Sequence, residues 1–353
     1  MTQTKYIIAS KGENILLTNE QGSAFWESTY EILTKSTKSR SRNHLNSYFR
    51  YSLENNKDAN IHLVGVPYNL GTQIKNSTVK DFPDILRKVS YKYPVYNEYN
   101  HQKTSGIYDY MIGTHIMKDS IIFDHGNIEI DHDVKDLEEE ISSILSKFMN
   151  QKEKIGFIGG DHFITYFIVK KLLQLINTPI VLIQFDAHHD CGSDLIKRGS
   201  NDINHANFIR FLLEEENVAG IIQVGVRGLR SLGQFITHDK LHVIPSHQSN
   251  SKNLIEKLEQ LQRKQGVDIP IYISFDVDVL DPSEFSLVDF PKNNGVDSKV
   301  IIDMIQSLKK YKNRLIGFDI VEGKSDGELD EYDVIIQILA HLIDIVTEKK
   351  VEE

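Results

Sequence analysis

Uninterrupted apolar runs, separated by stretches of helical period, recur along the chain from residue 61 onwards. Because the runs do not alternate between apolar and polar positions, we expect strands buried on both faces, as in a parallel sheet between helical layers. This succession predicts an α/β fold with three αβα layers around a doubly wound, mainly parallel sheet over residues 57–353. The predicted strands are 61–66, 154–160, 179–186, 219–226, 240–245, 269–276 and 314–320, and the predicted helices are 134–149, 165–176, 204–216, 251–264, 298–311 and 332–348.

The first 56 residues do not share this succession and are interpreted as an N-terminal extension. Residues 5–33 predict two short strands and an amphipathic helix, and the polar stretch TKSTKSRSRNHLNS follows at 34–47. The extension is either a small α+β lobe or a decoration of the main domain. A tyrosine-rich segment at 91–110 is interpreted as a surface loop, with a rim that contacts substrate as the alternative.

Composition limits the classes of function. The 353 residues carry a formal net charge of −10, whereas nucleic-acid binding requires a basic face, so no nucleic-acid partner is expected. The single cysteine, Cys191, excludes an internal disulfide framework and suits a reducing compartment. No apolar run reaches the roughly 18 residues of a membrane span, and the first residues do not resemble a signal peptide. We therefore expect a cytoplasmic protein without a membrane partner.

Charged side chains follow three of the predicted strands. They are Asp161 and His162 after 154–160, Asp186, His188 and Asp190 at the end of 179–186, and Asp276 and Asp278 at the end of 269–276. Because the carboxyl ends of parallel strands meet at one edge of a sheet, we expect these side chains to converge. One Asp-x-His or Asp-x-Asp pair is more often a cap or a surface ion pair, but three such clusters predict two divalent cations. Carboxylate-rich sites without thiolates suit manganese or magnesium, and two such ions can hold a nucleophilic hydroxide.

The segments GGDH at 159–162, DAHHD at 186–190 and SFDVDVLDP at 274–282 resemble the three signature motifs of the arginase, or ureohydrolase, superfamily. The resemblance extends over most of residues 60–345 and implies two Mn²⁺ ions per chain, bridged by Asp186 and Asp276. The implied ligands are His162, Asp186, Asp190 and Asp276 for one ion and His188, Asp186, Asp276 and Asp278 for the other. It also implies that Asp161 orients His162 or a nearby loop, and that His189 is not a ligand.

Two further residues match functional positions of the family. The segment GFDIVEG at 317–323 places Glu322 where the family binds the substrate guanidinium; the alternative is a surface acid at a strand end. The segment DINHANF at 202–208 places His205 where the family has a histidine that moves protons. This second match is looser because Ala206 replaces the usual glycine, so an ordinary residue at a helix start is the alternative. The resemblance also implies that Asp190 hydrogen-bonds the nucleophile.

Departures from the arginase pattern bear on the substrate. Arg230 stands where an arginase offers an aspartate to the α-ammonium of free arginine, and CGSDLIKRGSNDINH and EFSLVDFPKNNG replace two arginase loops. The chain is therefore most similar to the peptide arginases of ribosomal-peptide natural-product (RiPP) biosynthesis, which convert peptide arginine to ornithine and release urea. The expected partner is an arginine-containing peptide, such as a precursor peptide, or a small guanidino compound.

Three alternatives stay open. One is an agmatinase-type or other small-molecule guanidino hydrolase, including an arginase that acts on free arginine. Formimidoylglutamate hydrolysis is a weaker alternative because no recognition of a free amino acid is evident. The third is a module that binds metal without catalysis, although a closed structural site would not need the guanidinium anchor Glu322. A homo-oligomer is compatible with the resemblance.

Overall fold

The computed structural model of the protein contains an eight-stranded sheet in which all neighbouring strands are parallel. Numbered in chain order within this sheet, the strands are β1 (Ile61–Val66), β2 (Ile122–Asn127), β3 (Lys154–Gly159), β4 (Ile180–Phe185), β5 (Val218–Val226), β6 (Leu241–Pro245), β7 (Ile271–Asp276) and β8 (Leu315–Val321). They lie side by side in the order β6-β5-β4-β7-β8-β3-β1-β2. The structure describes residues 6–10, 13–17, 48–50, 59–72, 74, 76–97, 102–103, 106–130, 134–149, 153–192, 203–229, 237–265 and 268–347.

Helices cover both faces of the sheet. They are α1 (Phe82–Ser90), α2 (Val134–Met149), α3 (Ile164–Leu175), α4 (Phe208–Leu213), α5 (Ser251–Gln265), α6 (Ser298–Ser307) and α7 (Asp333–Val346). Apolar side chains of α1, α5, α6 and α7 form one buried cluster with one face of the sheet, and those of α2, α3 and α4 form a second cluster on the other face. The predicted three-layer αβα arrangement is therefore confirmed. Within the described ranges, every helix is too short or too polar to traverse a lipid bilayer.

The seven predicted strands are confirmed with bounds that shift by at most two residues, but β2 and α1 were not predicted. The sequence of β2, IFDHGN, mixes apolar and polar residues, as an edge strand can, so it lacks the apolar run that marks the central strands. A buried ion pair joins the two unpredicted elements. Arg87 of α1 donates from Nε to Oδ2 of Asp124 in β2 over 2.9 Å and from Nη2 to Oδ1 over 3.1 Å.

The helix predicted at 204–216 is shorter than expected, because its first residues form a turn. The backbone N–H of Asn204 donates to Oδ1 of Asn207, and the N–H of Ala206 donates to Oδ1 of Asn204. Such side-chain hydrogen bonds compete with helical ones, so α4 begins only at Phe208. The helix predicted at 298–311 ends at Ser307 and continues as a 3-10 helix, Leu308–Arg314.

Two parts of the N-terminal extension are described. Strands Tyr6–Ser10 and Glu13–Leu17 pair antiparallel, which confirms the two predicted strands; the predicted helix lies outside the described residues. Tyr48 and Phe49 are buried against α1, where Tyr48 Oη donates to the carbonyl of Pro83. The boundary at residues 56 and 57 stays a prediction.

The tyrosine-rich segment contributes short antiparallel strands. Tyr96–Asn97 pairs with Gln102–Lys103, and Ile107–Asp109 pairs with Thr114–Ile116. Tyrosines 93, 108 and 110 line a cavity of about 590 Å³ beside α7.

Candidate metal centre and substrate pocket

The register of the central strands brings the predicted site residues together. Phe185 of β4 lies beside Phe275 of β7, so the next residues, Asp186 and Asp276, emerge as neighbours. On the other side of β7, Asp276 pairs with Val321 of β8, and Glu322 follows directly. The carboxyl ends of β3, β4, β7 and β8 thus form the floor of one site.

His162 and three carboxylates form the first group of ligand atoms. Nδ1 of His162 lies 3.1 Å from Oδ2 of Asp186, 3.2 Å from Oδ2 of Asp190 and 3.1 Å from Oδ2 of Asp276. Around an ion that holds octahedral ligands at about 2.1 Å, adjacent ligand atoms lie about 3 Å apart. The spacing of these atoms therefore fits one divalent cation.

His188 and Asp278 form a second group next to the first. Nδ1 of His188 lies 2.7 Å from Oδ2 of Asp278 and 3.5 Å from Oδ1 of Asp186. Asp186 therefore directs one carboxylate oxygen toward each group, as a bridging ligand would. Asp276 contributes Oδ2 to the first group, and its Oδ1 accepts from the N–H of Asp278. Bridging by Asp276 stays a prediction.

A hydrogen-bonded chain behind His162 fixes its orientation. Nε2 lies 2.9 Å from Oγ of Ser274, which donates to Oδ1 of Asp319 over 2.7 Å. Since the serine proton is used on Asp319, its oxygen accepts from Nε2–H, and Nδ1 keeps its lone pair. This buried Nδ1 makes no hydrogen bond within the described residues. An imidazole lone pair among carboxylates is the donor set that a divalent cation needs.

Gln184 hydrogen-bonds two carboxylates of the first group, Asp186 and Asp190, and was not predicted from the sequence. Its Nε2 donates to Oδ2 of Asp186 over 2.7 Å and to Oδ2 of Asp190 over 3.0 Å. Its Oε1 accepts from Nε2 of Gln223, which also donates to the carbonyl of His189. The signal that could have found Gln184 is its position two residues before Asp186, on the same face of β4. Ser274 precedes Asp276 by the same spacing.

The ionisable groups of the centre shift one another's pKa. Burial and the charge of Asp186 raise the pKa of Asp190 to about 7. Burial and the charges of Asp278 and Asp186 raise the pKa of Asp276. Burial alone would lower the pKa of His188, but hydrogen bonds to Asp186 and Asp278 raise that pKa to about 11. The carboxylates thus require positive charge beside them, which divalent cations would supply.

Glu322 contacts both the metal group and His205. Its Oε1 accepts from the backbone N–H of His162 over 2.8 Å and lies 3.3 Å from Nδ1 of His205. Burial alone would lower the pKa of His205, but the hydrogen bond and charge of Glu322 raise it. Glu322 and Asp190 have positive φ angles of 67° and 44°, a strained backbone conformation that often marks functional sites.

Asp161 and His189 have structural contacts. Oδ2 of Asp161 accepts from the backbone N–H groups of Gly71 (2.7 Å) and Thr72 (3.1 Å), which ties the loop after β1 to the residues preceding α3. Nδ1 of His189 accepts from the backbone N–H of Cys191 over 2.9 Å. These contacts agree with the supporting role expected for Asp161 and with the absence of His189 from the expected ligands.

One pocket of about 160 Å³ contains most of the predicted site residues, and Asp186 lies buried beneath it. The predicted residues that line it are His162, His188, Asp190, His205, Asp276, Asp278 and Glu322. Val288, Asp289 and Phe290, from the loop after β7, also line it. Arg230 and residues 193–202 lie outside the described residues.

Two known proteins with sequences similar to this chain are agmatinases. An agmatinase from Neisseria meningitidis serogroup C is 24% identical over 263 residues, which cover 74% of this chain and 78% of that protein. A mitochondrial agmatinase from Gallus gallus is 28% identical over 170 residues, which cover 47% of this chain and only 48% of that protein.

Solved structures share the fold. A hypothetical agmatinase from Burkholderia thailandensis superposes with a TM-score of 0.67 at 22% identity, over 85% of this chain and 90% of that one. A Trypanosoma cruzi formiminoglutamase with Mn²⁺ superposes with a TM-score of 0.66 at 19% identity, over 84% of this chain and 96% of that one. The model of the arginase family matches residues 59–340. Because this match spans most of the chain, the protein belongs to the arginase family.

Proposed function

We propose that the protein is a manganese-dependent hydrolase that releases urea from a guanidino group, most specifically from arginine within a peptide. The observation that carries the proposal is the pairing of Glu322 with His205 at 3.3 Å in the same pocket as two His/Asp groups that share Asp186. A guanidinium anchor, a proton donor and a place for two cations thus occur together.

The two cations would be held by His162, Asp190, Asp276 and Asp186, and by His188, Asp278 and Asp186 with Asp276. When bound, they would lower the pKa of a water molecule and stabilise negative charge in the transition state. The oxygen-rich donor set favours manganese, and the related T. cruzi formiminoglutamase was solved with Mn²⁺.

The protein's own groups would bind the substrate and move its protons. Glu322 uses Oε1 for the N–H of His162, which leaves Oε2 as the charge-assisted acceptor for a planar guanidinium. His205, whose pKa is raised by Glu322, stays protonated at higher pH and is the donor for the leaving amine. Asp190 accepts a hydrogen bond from the attacking oxygen and keeps it oriented.

The peptide substrate is supported by the loop after β7 and by the sequence around Arg230. Phe290, 44% exposed, lines the pocket with its ring centroid 5.8 Å from that of His205 and 6.3 Å from that of His188. An apolar ring replaces the small polar residues of the arginase loop, and a cation at position 230 would repel a free α-ammonium. Agmatine, which has no α-carboxylate but keeps a terminal ammonium, is the second candidate because agmatinases are among the relatives.

Urea release by the manganese-loaded protein tests the proposal. Free arginine, agmatine and an arginine peptide blocked at both ends are compared, and the peptide product is weighed. We expect urea from the blocked peptide with a mass loss of about 42 Da, since hydrolysis converts arginine to ornithine. Urea from agmatine alone would assign a small-molecule enzyme, and no urea from any of the three would contradict guanidino hydrolysis.

A further inference from the structure

The loop between β7 and α6 presents Asp289 to the catalytic pocket on an anchored backbone. Val288, Asp289 and Phe290 all line the pocket. Val288 is buried, and the carbonyl of Leu287 accepts from the backbone N–H of Lys324 over 2.8 Å. Two successive residues are therefore fixed immediately before Asp289, which limits how far its carboxylate can move.

Oδ2 of Asp289 is buried and makes no hydrogen bond with any residue that the structure describes. A buried acceptor without a donor costs free energy, because it loses its water and gains nothing. Other carboxylates of the pocket have partners: Glu322 accepts from the N–H of His162, and Asp278 accepts from the N–H of Ala187. Asp289 therefore adds to the wall of the pocket a carboxylate whose second oxygen has no donor among the described residues.

The substrate expected here brings more donors than Glu322 can accept. An arginine guanidinium carries five N–H groups, and one oxygen of Glu322 is already shared with His162. The exposed ring of Phe290 lines the same pocket and is an apolar surface on which an alkyl stem could pack. Asp289 precedes Phe290 and lines the same pocket as Glu322, so the pocket offers a second carboxylate outside the two His/Asp groups.

We propose that Asp289 is a second guanidinium-binding carboxylate, which accepts a hydrogen bond from Nε–H of the substrate while Glu322 holds the terminal nitrogens. The assignment rests on the proposed function and adds to it a preference among substrates. It favours a guanidine that keeps an N–H at the point of attachment, and it disfavours substrates with a carboxylate close to the reacting group, because two anions would repel.

The test uses the full-length, manganese-loaded protein and the variant Asp289→Asn. Asp303→Asn, the same change at an exposed position of α6, is the matched control. The substrates are the blocked arginine peptide and the same peptide methylated at Nε. We expect Asp289→Asn to lower kcat/KM for the unmethylated peptide by about 10- to 100-fold, mainly through KM, since a charge-assisted hydrogen bond is lost. The methylated peptide should change by less than about threefold, and manganese content should not change.

Two results would overturn the assignment: equal losses on both peptides, or loss of manganese from Asp289→Asn. Failure of wild type to release urea from any guanidine would instead sink the proposed function. In that case, calorimetric titration of the two peptides into wild type and Asp289→Asn measures binding without turnover and tests the role of Asp289 separately. Weaker binding of the unmethylated peptide alone supports Asp289 as its acceptor; equal binding to both proteins, or none to wild type, overturns it.

Discussion

At the scale of single residues, a neutral side chain orients two carboxylates of the proposed metal centre. The amide of Gln184 donates to Asp186 and Asp190, and its orientation is fixed because its oxygen accepts from Gln223 over 2.7 Å. A cationic residue in the same place would compete with the metals for these carboxylates. A neutral donor holds them in position and leaves their charge available for the cations.

Replacing Gln184 with leucine removes both hydrogen bonds at similar volume. We expect the affinity for Mn²⁺ to fall about 10- to 100-fold, as is usual when a group that holds a metal ligand is lost. Equilibrium dialysis against buffered Mn²⁺ followed by metal analysis measures the change. Gln174→Leu, the same replacement at an exposed position of α3, should bind Mn²⁺ as wild type does. Equal affinities for the two variants would contradict the role of Gln184.

Charged ligands were easier to infer from the sequence than their supports, for a physical reason. An aspartate or histidine directly after a buried strand carries a desolvation cost, so its presence there demands an explanation. Gln184 is uncharged and lies within β4, where one amide among apolar residues draws no attention. Asp289 lies in the divergent loop EFSLVDFPKNNG, and it was not predicted as a site residue because a loop sequence does not show which side chains face a pocket.

At the scale of elements, β1 and β2 share a pair of neighbouring histidines at one edge of the sheet. His62 of β1 is fully buried, stacks on Phe148 of α2 with ring centroids 4.2 Å apart, and has Nδ1 3.0 Å from Nε2 of His125 in β2. Burial lowers the pKa of His125 to about 4. This edge of the sheet is therefore built for a neutral imidazole.

Acidification should lower the free energy of unfolding of the protein through His125. Between pH 6.5, the ordinary value, and about 4, the unfolded chain binds a proton that the folded protein does not, so stability falls as pH falls. We expect this residue to account for up to about 3 kcal/mol of lost unfolding free energy over that range. Urea unfolding of wild type and His125→Asn at about pH 7 and about pH 4.5 measures the difference.

The variant should lose less stability on acidification than wild type, even if it is less stable at neutral pH. His247→Asn, at an exposed position after β6, should keep the wild-type pH dependence. If all three proteins lost the same free energy on acidification, the burial of His125 would not be the cause.

The two elements that the sequence did not predict, β2 and α1, lie at this same edge of the sheet. Central strands such as β4 and β7 are fully buried, and continuous apolar residues identify them. In contrast, β2 mixes polar and apolar residues and contains Gly126 with a positive φ of 76°, which weakens any strand pattern. Pairing with β1 forms this strand, and pairing partners cannot be identified from a local window of sequence.

At the scale of the whole molecule, cation binding should stabilise the fold. Carboxylates from β4 and β7 crowd at one edge, so removal of cations leaves repulsion between the two strands. Each site should add about 2.7 kcal/mol of unfolding free energy when free Mn²⁺ exceeds its Kd 100-fold. Calorimetry of the protein with Mn²⁺ and after chelation should show a higher Tm with the metal. Asp276→Asn should show a smaller gain, and an unchanged Tm in wild type would contradict cation binding at this centre.

The order of strands across the sheet also has a consequence for how the centre arises. Its residues come from β3, β4, β7 and β8, which are adjacent in space but span His162 to Glu322 in the chain. Pairing of β4 with β7 and of β3 with β8 closes long loops, which is a slow part of folding. A chain that has emerged only as far as residue 229 therefore has no complete pair of cation sites and no Glu322. Acquisition of tight cation binding during synthesis would therefore report the insertion of β7, which carries Asp276 and precedes Asp278.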